Sequence, residues 1–228
     1  MAKCTLLVDA DDTLWENNRY FERTIAECVS LLEPLGYAPE YVRRILNETE
    51  RRNIQQYGYG VGSFGRSLEE TCLALAGALA APQLRERIAA LLQELESITP
   101  VILDGVPETL AYLAARHRLI LVTKGEPAEQ AAKLQKSGLQ AFFQAVEIVP
   151  EKDVSEYHRI VKQHRIVKSR AWMIGNSPRS DINPALAAGL NAVFIPHPAT
   201  WELEHAEIRS GSGRLLVVPS FRSLRHHF

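Results

Sequence analysis

Three acids fall within four residues near the amino end, Asp9, Asp11 and Asp12, with Thr13 directly after them. Carboxylates so placed can act as a nucleophile, as a general acid and base, or as oxygen ligands for a hard cation. Alone, the cluster reads equally well as a solvated turn or a helix cap, where acids are common. Farther along, Thr123-Lys124-Gly125, then Lys152, then Gly175-Asn176-Ser177-Pro178-Arg179-Ser180-Asp181 supply a hydroxyl, ammonium groups and another acid. A hydroxyl and a point cation suit an anionic ligand.

What raises these residues above a scatter of polar side chains is where the predicted elements put them. Thr5–Val8 is an apolar, β-branched run that stops at the acids, as a buried parallel strand does at its carboxyl end. Apolar residues then recur at three- and four-residue spacing in Phe21–Leu35, Tyr41–Ile54, Leu68–Leu79 and Leu84–Leu95, so residues 17–99 read as all helix. Between the second and third of these runs, Tyr57–Gly65 reads as a glycine-rich loop with aromatic residues.

After Pro100, strands predicted at Leu119–Val122, Ala145–Val149, Ala171–Ile174, Ala192–Ile195 and Leu215–Val218 are interspersed with helices at Pro107–His117, Pro127–Ser137, Ser155–His164 and from Pro184. Strands separated by helices form a parallel sheet covered on both faces. The expected fold is therefore α/β: a Rossmann-like doubly wound parallel sheet from residues 1–16 and 100–228, with residues 17–99 as an inserted all-helical domain. In such sheets ligands bind outside the carboxyl ends of the strands. Asp9, Thr123, Lys152 and Asn176 all fall at or just beyond such an end.

That ordered set resembles the haloacid dehalogenase superfamily, with a helical insert similar to its C1-type cap. Asp9, Asp11 and Thr13 match its DxDx[TV] motif, Thr123 the second motif, Lys152 the third and Asp181 the fourth. The likeness covers nearly the whole chain, and the stretch Leu103–Leu110 is similar to the return from cap to core in that family. The Asp-Asp-Thr-Leu-Trp form of the first motif resembles phosphoglycolate phosphatase-like and nucleotidase-like members.

The resemblance implies a Mg²⁺-dependent phosphatase acting on a small phosphomonoester through an aspartyl-phosphate. Asp9 would be the nucleophile and Asp11 the general acid and then base. Thr123, Lys124, Gly125 and Lys152 would hold the phosphate, helped by main-chain N–H groups of residues 10, 11, 124 and 125. Asp9, Asp181 and the carbonyl of Asp11 would hold the metal. Trp15, Tyr57 and Tyr59, with Glu16 and Asn17, would be substrate contacts, and Asp12 a turn or capping acid. The sequence departs from the family at Asn176, where Asp is more frequent, at Lys124, where Asn is, and at Asp153, where Pro is. Asn176 is expected to orient a metal-bound water or Lys152, and Lys124 either to favour a more anionic substrate or to pair with an acid such as Glu126.

Asp11 argues against a 2-haloacid dehalogenase, because halide leaves carbon without a proton. The same motifs are compatible with a phosphomutase or with a catalytically silent binding domain, and the presence of both Asp9 and Asp11 speaks against the silent domain. The 228 residues carry 26 Lys and Arg against 27 Asp and Glu, so there is no basic field to draw in a nucleic acid polymer. With 46% hydrophobic residues and no apolar run long enough for a membrane helix, a globular cytoplasmic enzyme is expected, with no membrane partner. Cys4, Cys28 and Cys72 read as reduced thiols in unrelated apolar settings, the histidines form no spaced ligand set, and His226-His227 reads as a solvated tail.

Overall fold

The computed structural model describes residues 3–77 and 81–228. They divide into two compact units, Met1–Asn18 with Pro100–Phe228, and Arg19–Thr99.

In the first unit, β1 (Thr5–Val8), β2 (Arg118–Lys124), β3 (Ala145–Val149), β4 (Ala171–Gly175), β5 (Asn191–Phe194) and β6 (Leu215–Val217) form one sheet. Every pairing is parallel and the order is β3-β2-β1-β4-β5-β6. The chain winds outward from β1 through β2 to β3, then crosses to β4 on the other flank of β1. Such a reversal leaves a crevice at the carboxyl ends of the central strands. Val8 lies opposite both Leu121 and Ile174, so Asp9 emerges between two neighbours at that rim.

Alternate strand residues serve opposite faces, as the two-residue period of a strand requires. Leu6, Val8, Leu119, Leu121 and Ile174 join Val106, Leu110 and Leu113 of a helix at Val106–Ala114. Leu7, Ile120, Val122 and Met173 join Tyr157 and Ile160 of a helix at Val154–Gln163. Both faces are therefore dry, which is why the inner strands show no polar alternation. Pro127–Ser137, which follows β2, begins with Glu126 accepting from the Glu129 N–H, and Val154–Gln163 begins with Asp153 accepting from that of Glu156. Asp153 thus does the N-capping work that a proline could not.

The carboxyl end is not a free tail. The side chains of His226 and His227 are exposed, but Phe221, Leu224 and Phe228 are buried in the first core layer. The Phe228 ring meets that of Trp172 edge-on at 5.4 Å between centroids.

We number the helices α1 (Asn18–Leu32), α2 (Pro39–Tyr57), α3 (Val61–Ala76), α4 (Ala81–Ser97), α5 (Val106–Ala114), α6 (Pro127–Ser137), α7 (Val154–Gln163) and α8 (Asn183–Ala187). The second unit is built from α1 to α4 around Ile25, Leu32, Leu46, Phe64, Leu68, Ile88 and Leu91. The expected third helix ran to Leu79, which lies outside the described residues. Its start is corrected: the loop expected over Tyr57–Gly65 is only Gly58–Gly60, and Gly62 and Gly65 lie inside α3. Packing overrides propensity there, since a Cβ on Gly65 would stand 2.3 Å from Cδ1 of Leu92. Cys28 on α1 and Cys72 on α3, expected in unrelated settings, share a thiol hydrogen bond inside this core, and both are free cysteines. No helix among the described residues is long and apolar enough to cross a membrane.

Phe228→Ala should therefore destabilise the protein by about 3 kcal/mol, the usual cost of emptying an aromatic site in a core. Urea unfolding measures it; a change under about 0.5 kcal/mol would mean that the terminal ring holds nothing in place.

Candidate active site

At the crevice, the Lys152 ammonium is only 4% exposed as a residue and sits between two carboxylates. It donates to Asp9 Oδ1 at 2.5 Å and to Asp181 Oδ1 at 2.8 Å. β1 delivers Asp9, the turn before α7 delivers Lys152, and the π-helical turn Pro178–Ile182 after β4 delivers Asp181. Burial alone would lower the lysine, but Asp181 and Asp9 outweigh it and hold the ammonium above its usual value. Burial and the adjacent Asp9 push Asp181 up, against the pull of Lys152 and of the Ser177 N–H that donates to its Oδ2 at 2.9 Å. Two carboxylates sharing one ammonium leave a surplus of negative charge out of water.

Gly175 makes that arrangement sterically feasible, since a Cβ there would lie 2.1 Å from Asp181 Oδ2. Thr13 donates to Asp9 Oδ2 at 2.7 Å. One terminal atom of the Asn176 amide lies 3.3 Å from Asp9 Oδ2, 3.2 Å from the Asp11 carbonyl oxygen and 3.2 Å from Thr13 Oγ1. As nitrogen it donates to them, while its partner oxygen accepts from Thr200 at 3.0 Å. Turned the other way, the amide oxygen joins the Asp9 and Asp11 oxygens in a corner that suits a hard divalent cation. The residues present therefore fit Mg²⁺. Asn176 makes no hydrogen bond to Lys152, the partner expected for it, among the described contacts.

Asp11 stands apart from this cluster. Its Oδ1 accepts from Trp15 Nε1 at 2.7 Å and Lys133 Nζ at 2.9 Å, and its Oδ2 from Gln130 Nε2 at 2.9 Å. Burial pushes this carboxyl up, but the Lys133 charge and the hydrogen bonds of Lys133, Gln130 and Trp15 prevail and hold it below the usual range. Asp12 has φ of 57° and accepts from the main-chain N–H groups of Asn17 and Asn18, the capping work its type suggested.

Several expected roles are corrected here. Trp15 is 1% exposed and packed in the apolar core, so its ring is not open to a ligand. The Lys124 ammonium does not stand free for a phosphate: it donates to Glu204 Oε1 at 2.5 Å, Ser180 Oγ at 2.9 Å and Glu151 Oε1 at 3.3 Å. Glu204 accepts from Ser177 as well, and the Lys124 cation beside it overcomes burial to hold its carboxyl low. Glu126, the acid suggested for Lys124, caps α6 instead. The Gly125 N–H donates to Val149 O at 3.2 Å and so belongs to the strand edge, not to an anion cradle. Thr123 is buried at the rim with its hydroxyl on Gln130 Oε1 at 3.3 Å.

Tyr57 and Tyr59 belong to the helical unit, where the Tyr57 ring packs under the Arg66 guanidinium at 4.2 Å. His197, which showed no ligand spacing, comes within 3.9 Å of both Asp12 and Glu16. Gln130, Lys133, Glu204 and His197 were missed because no short motif contains them. The one available signal was the i, i+3 spacing of Gln130 and Lys133 on the helix that starts at the rim.

The sequence profile of the haloacid dehalogenase-like hydrolases matches residues 5–189. Among solved structures, a haloacid dehalogenase-like family hydrolase from Xanthomonas campestris is 30% identical, with TM-score 0.85, over 99% of this chain and 90% of its own. The HAD-hydrolase YfnB of Bacillus subtilis, described as putative and solved bound to magnesium, is 18% identical with TM-score 0.67, over 100% and 99% of the two chains. The enolase-phosphatase E1 of Chaetomium globosum is 29% identical over 148 residues, 63% of this chain and 54% of that one. This chain thus spans about half the length of that curated relative.

Lys124→Met should strand the Glu204 carboxylate inside the protein and destabilise it by about 3 kcal/mol, the cost of breaking a buried pair from one side. Denaturant melts of Lys124→Met and of Lys124→Met with Glu204→Gln read this directly; the double variant should recover part of the loss, and an unaltered single variant would show the pair to be idle.

Proposed function

The chain belongs to the haloacid dehalogenase-like hydrolases, and from that premise we propose that it is a Mg²⁺-dependent phosphatase of small phosphomonoesters. The observation that carries this reading is Asp11: a second carboxylate, two residues beyond Asp9, with its own set of donors. A reaction that expels halide from carbon has no use for a proton donor, whereas an alkoxide leaving a phosphoryl group does. The similarity to an enolase-phosphatase supports the same choice.

In this mechanism a carboxylate oxygen of Asp9 attacks phosphorus and the bond from phosphorus to the ester oxygen breaks; Asp11, which its donors hold ionised in the free site, takes up a proton from solvent as the substrate enters and passes it to that oxygen. Asp11 then takes a proton from water as the water attacks the aspartyl-phosphate, releasing phosphate and regenerating Asp9. One residue serves in both directions. Lys152, already against Asp9, balances charge that builds on the phosphoryl oxygens. Asp9, Asp181, the Asp11 carbonyl and the Asn176 amide oxygen would hold Mg²⁺, which supplies neutralisation of the phosphoryl oxygens so that an anionic nucleophile can approach. We read the helical unit, Arg19–Thr99, as the cap that excludes water and selects the substrate.

Asp9→Asn should abolish Mg²⁺-dependent phosphate release across a panel of phosphomonoesters. Asp11→Asn should lower it by about 10²- to 10⁴-fold on alkyl esters, the range for general acid–base catalysis. Full turnover by a folded Asp9→Asn protein would end the covalent route, and chloride release from 2-chloropropionate without metal would favour dehalogenation.

Asn176→Asp adds a carboxylate to the ligand set and should tighten Mg²⁺ about tenfold by calorimetry, since charge count tunes the affinity of oxygen sites. Unchanged affinity would place Asn176 outside that set.

A further inference from the structure

Cys28 and Cys72 take no part in the crevice at the sheet rim; both lie in the helical unit, 2% and 1% exposed. Within that unit α1 and α3 meet twice. The ring of Phe21 on α1 stands edge-on to that of Phe64 on α3 at 4.9 Å between centroids, and Cys28 and Cys72 come about two turns farther along each helix. Two turns return each helix to the same face, so the packing that pairs the rings also pairs the sulfurs. Ile25, Leu32 and Leu68 belong to the same core and hold both helices there.

The two thiols are not equivalent. The Cys28 S–H donates to the Cys72 sulfur, and that bond holds the Cys72 thiol below its usual range against the effect of burial. The same bond, together with burial, pushes Cys28 up. Cys72 is therefore the better nucleophile of the pair, with Cys28 in contact as the resolving thiol. Burial selects the reagent: a bulky disulfide has no path to these sulfurs, whereas hydrogen peroxide is neutral and little larger than water.

We propose that Cys28 and Cys72 form a dithiol oxidation site, at which a hydroperoxide converts the free pair into a disulfide joining α1 to α3. The Cys72 sulfur, as thiolate, attacks one peroxide oxygen; the O–O bond breaks, and the departing hydroxide leaves as water with the proton Cys72 gave up. The Cys28 sulfur then attacks the Cys72 sulfenic acid, the S–O bond breaks, and a second water carries away the Cys28 proton. Each sulfur loses one electron and one peroxide becomes two waters. The inference is independent of the phosphatase reading.

The test treats the folded, reduced protein with hydrogen peroxide and then alkylates it. Digestion should yield the Cys28 and Cys72 peptides joined, lighter by two hydrogens than their sum. The melting midpoint should rise by on the order of 5 °C, because the bond closes a long loop of the unfolded chain. Dithiothreitol should reverse both changes, and Cys28→Ser, or Cys28→Ala if the serine variant does not fold, should show neither. The proposal would be overturned by Cys28 and Cys72 that stay free or only gain oxygen, by a joined peptide that forms only after unfolding in urea, or by the same rise in the Cys28 variant.

Discussion

The contact on which the rest of the site depends is the one between Lys152 and its two acids. An ammonium is expensive to bury alone, and so is either carboxylate. Together they are held out of water at the rim of the sheet, and each reason for that burial is traceable to the chain. β1 is dry on both faces, so Asp9 begins inside the protein. Gly175 has no side chain, so Asp181 can close in from β4. Tyr157 on α7 packs beneath, its hydroxyl on the carbonyl of Ser180 in the turn that carries Asp181. The amide of Asn176 can present either of its ends to the Asp9 carboxylate.

A second layer of ionic contacts keeps neighbouring charges from interfering. Lys124 lies one residue beyond Thr123 but is spent on Glu204, which brings the segment after β5 onto the turn holding Ser177 and Ser180. Lys133 answers Asp11. Asp11 thus has a cation that it does not share with Asp9, while Asp9 and Asp181 share Lys152. That separation places the two acids in different electrostatic settings, Asp9 beside Lys152 and Asp11 beside Lys133.

Helical periodicity and strand alternation were readable because they record burial, and burial is repeated along an element. The parallel sheet, the helical block and the places of Asp9, Thr123, Lys152 and Asp181 at strand ends all follow from that regularity. Where a single close contact decides, the pattern misleads. Gly62 and Gly65 look like loop residues, yet Leu92 requires the missing side chain at Gly65 and the helix runs through both. His226 and His227 look like a tail, yet Phe228 beyond them is packed on Trp172.

By itself, then, the sequence determined which residue types reach the carboxyl rim: two carboxylates on one strand end, a hydroxyl and lysines on the next turns, and a further acid after β4. Those identities suit charge neutralisation and proton exchange around an anion. Only the tertiary structure decided which cation faces which acid. Lys124, Lys133 and Lys152 are alike in composition, and their assignments to Glu204, Asp11 and the Asp9–Asp181 pair depend on side-chain directions set by packing of elements far apart in the chain. Electrostatic pairing falls off over a few ångströms, while sequence spacing says nothing about distances of that order between separate strands.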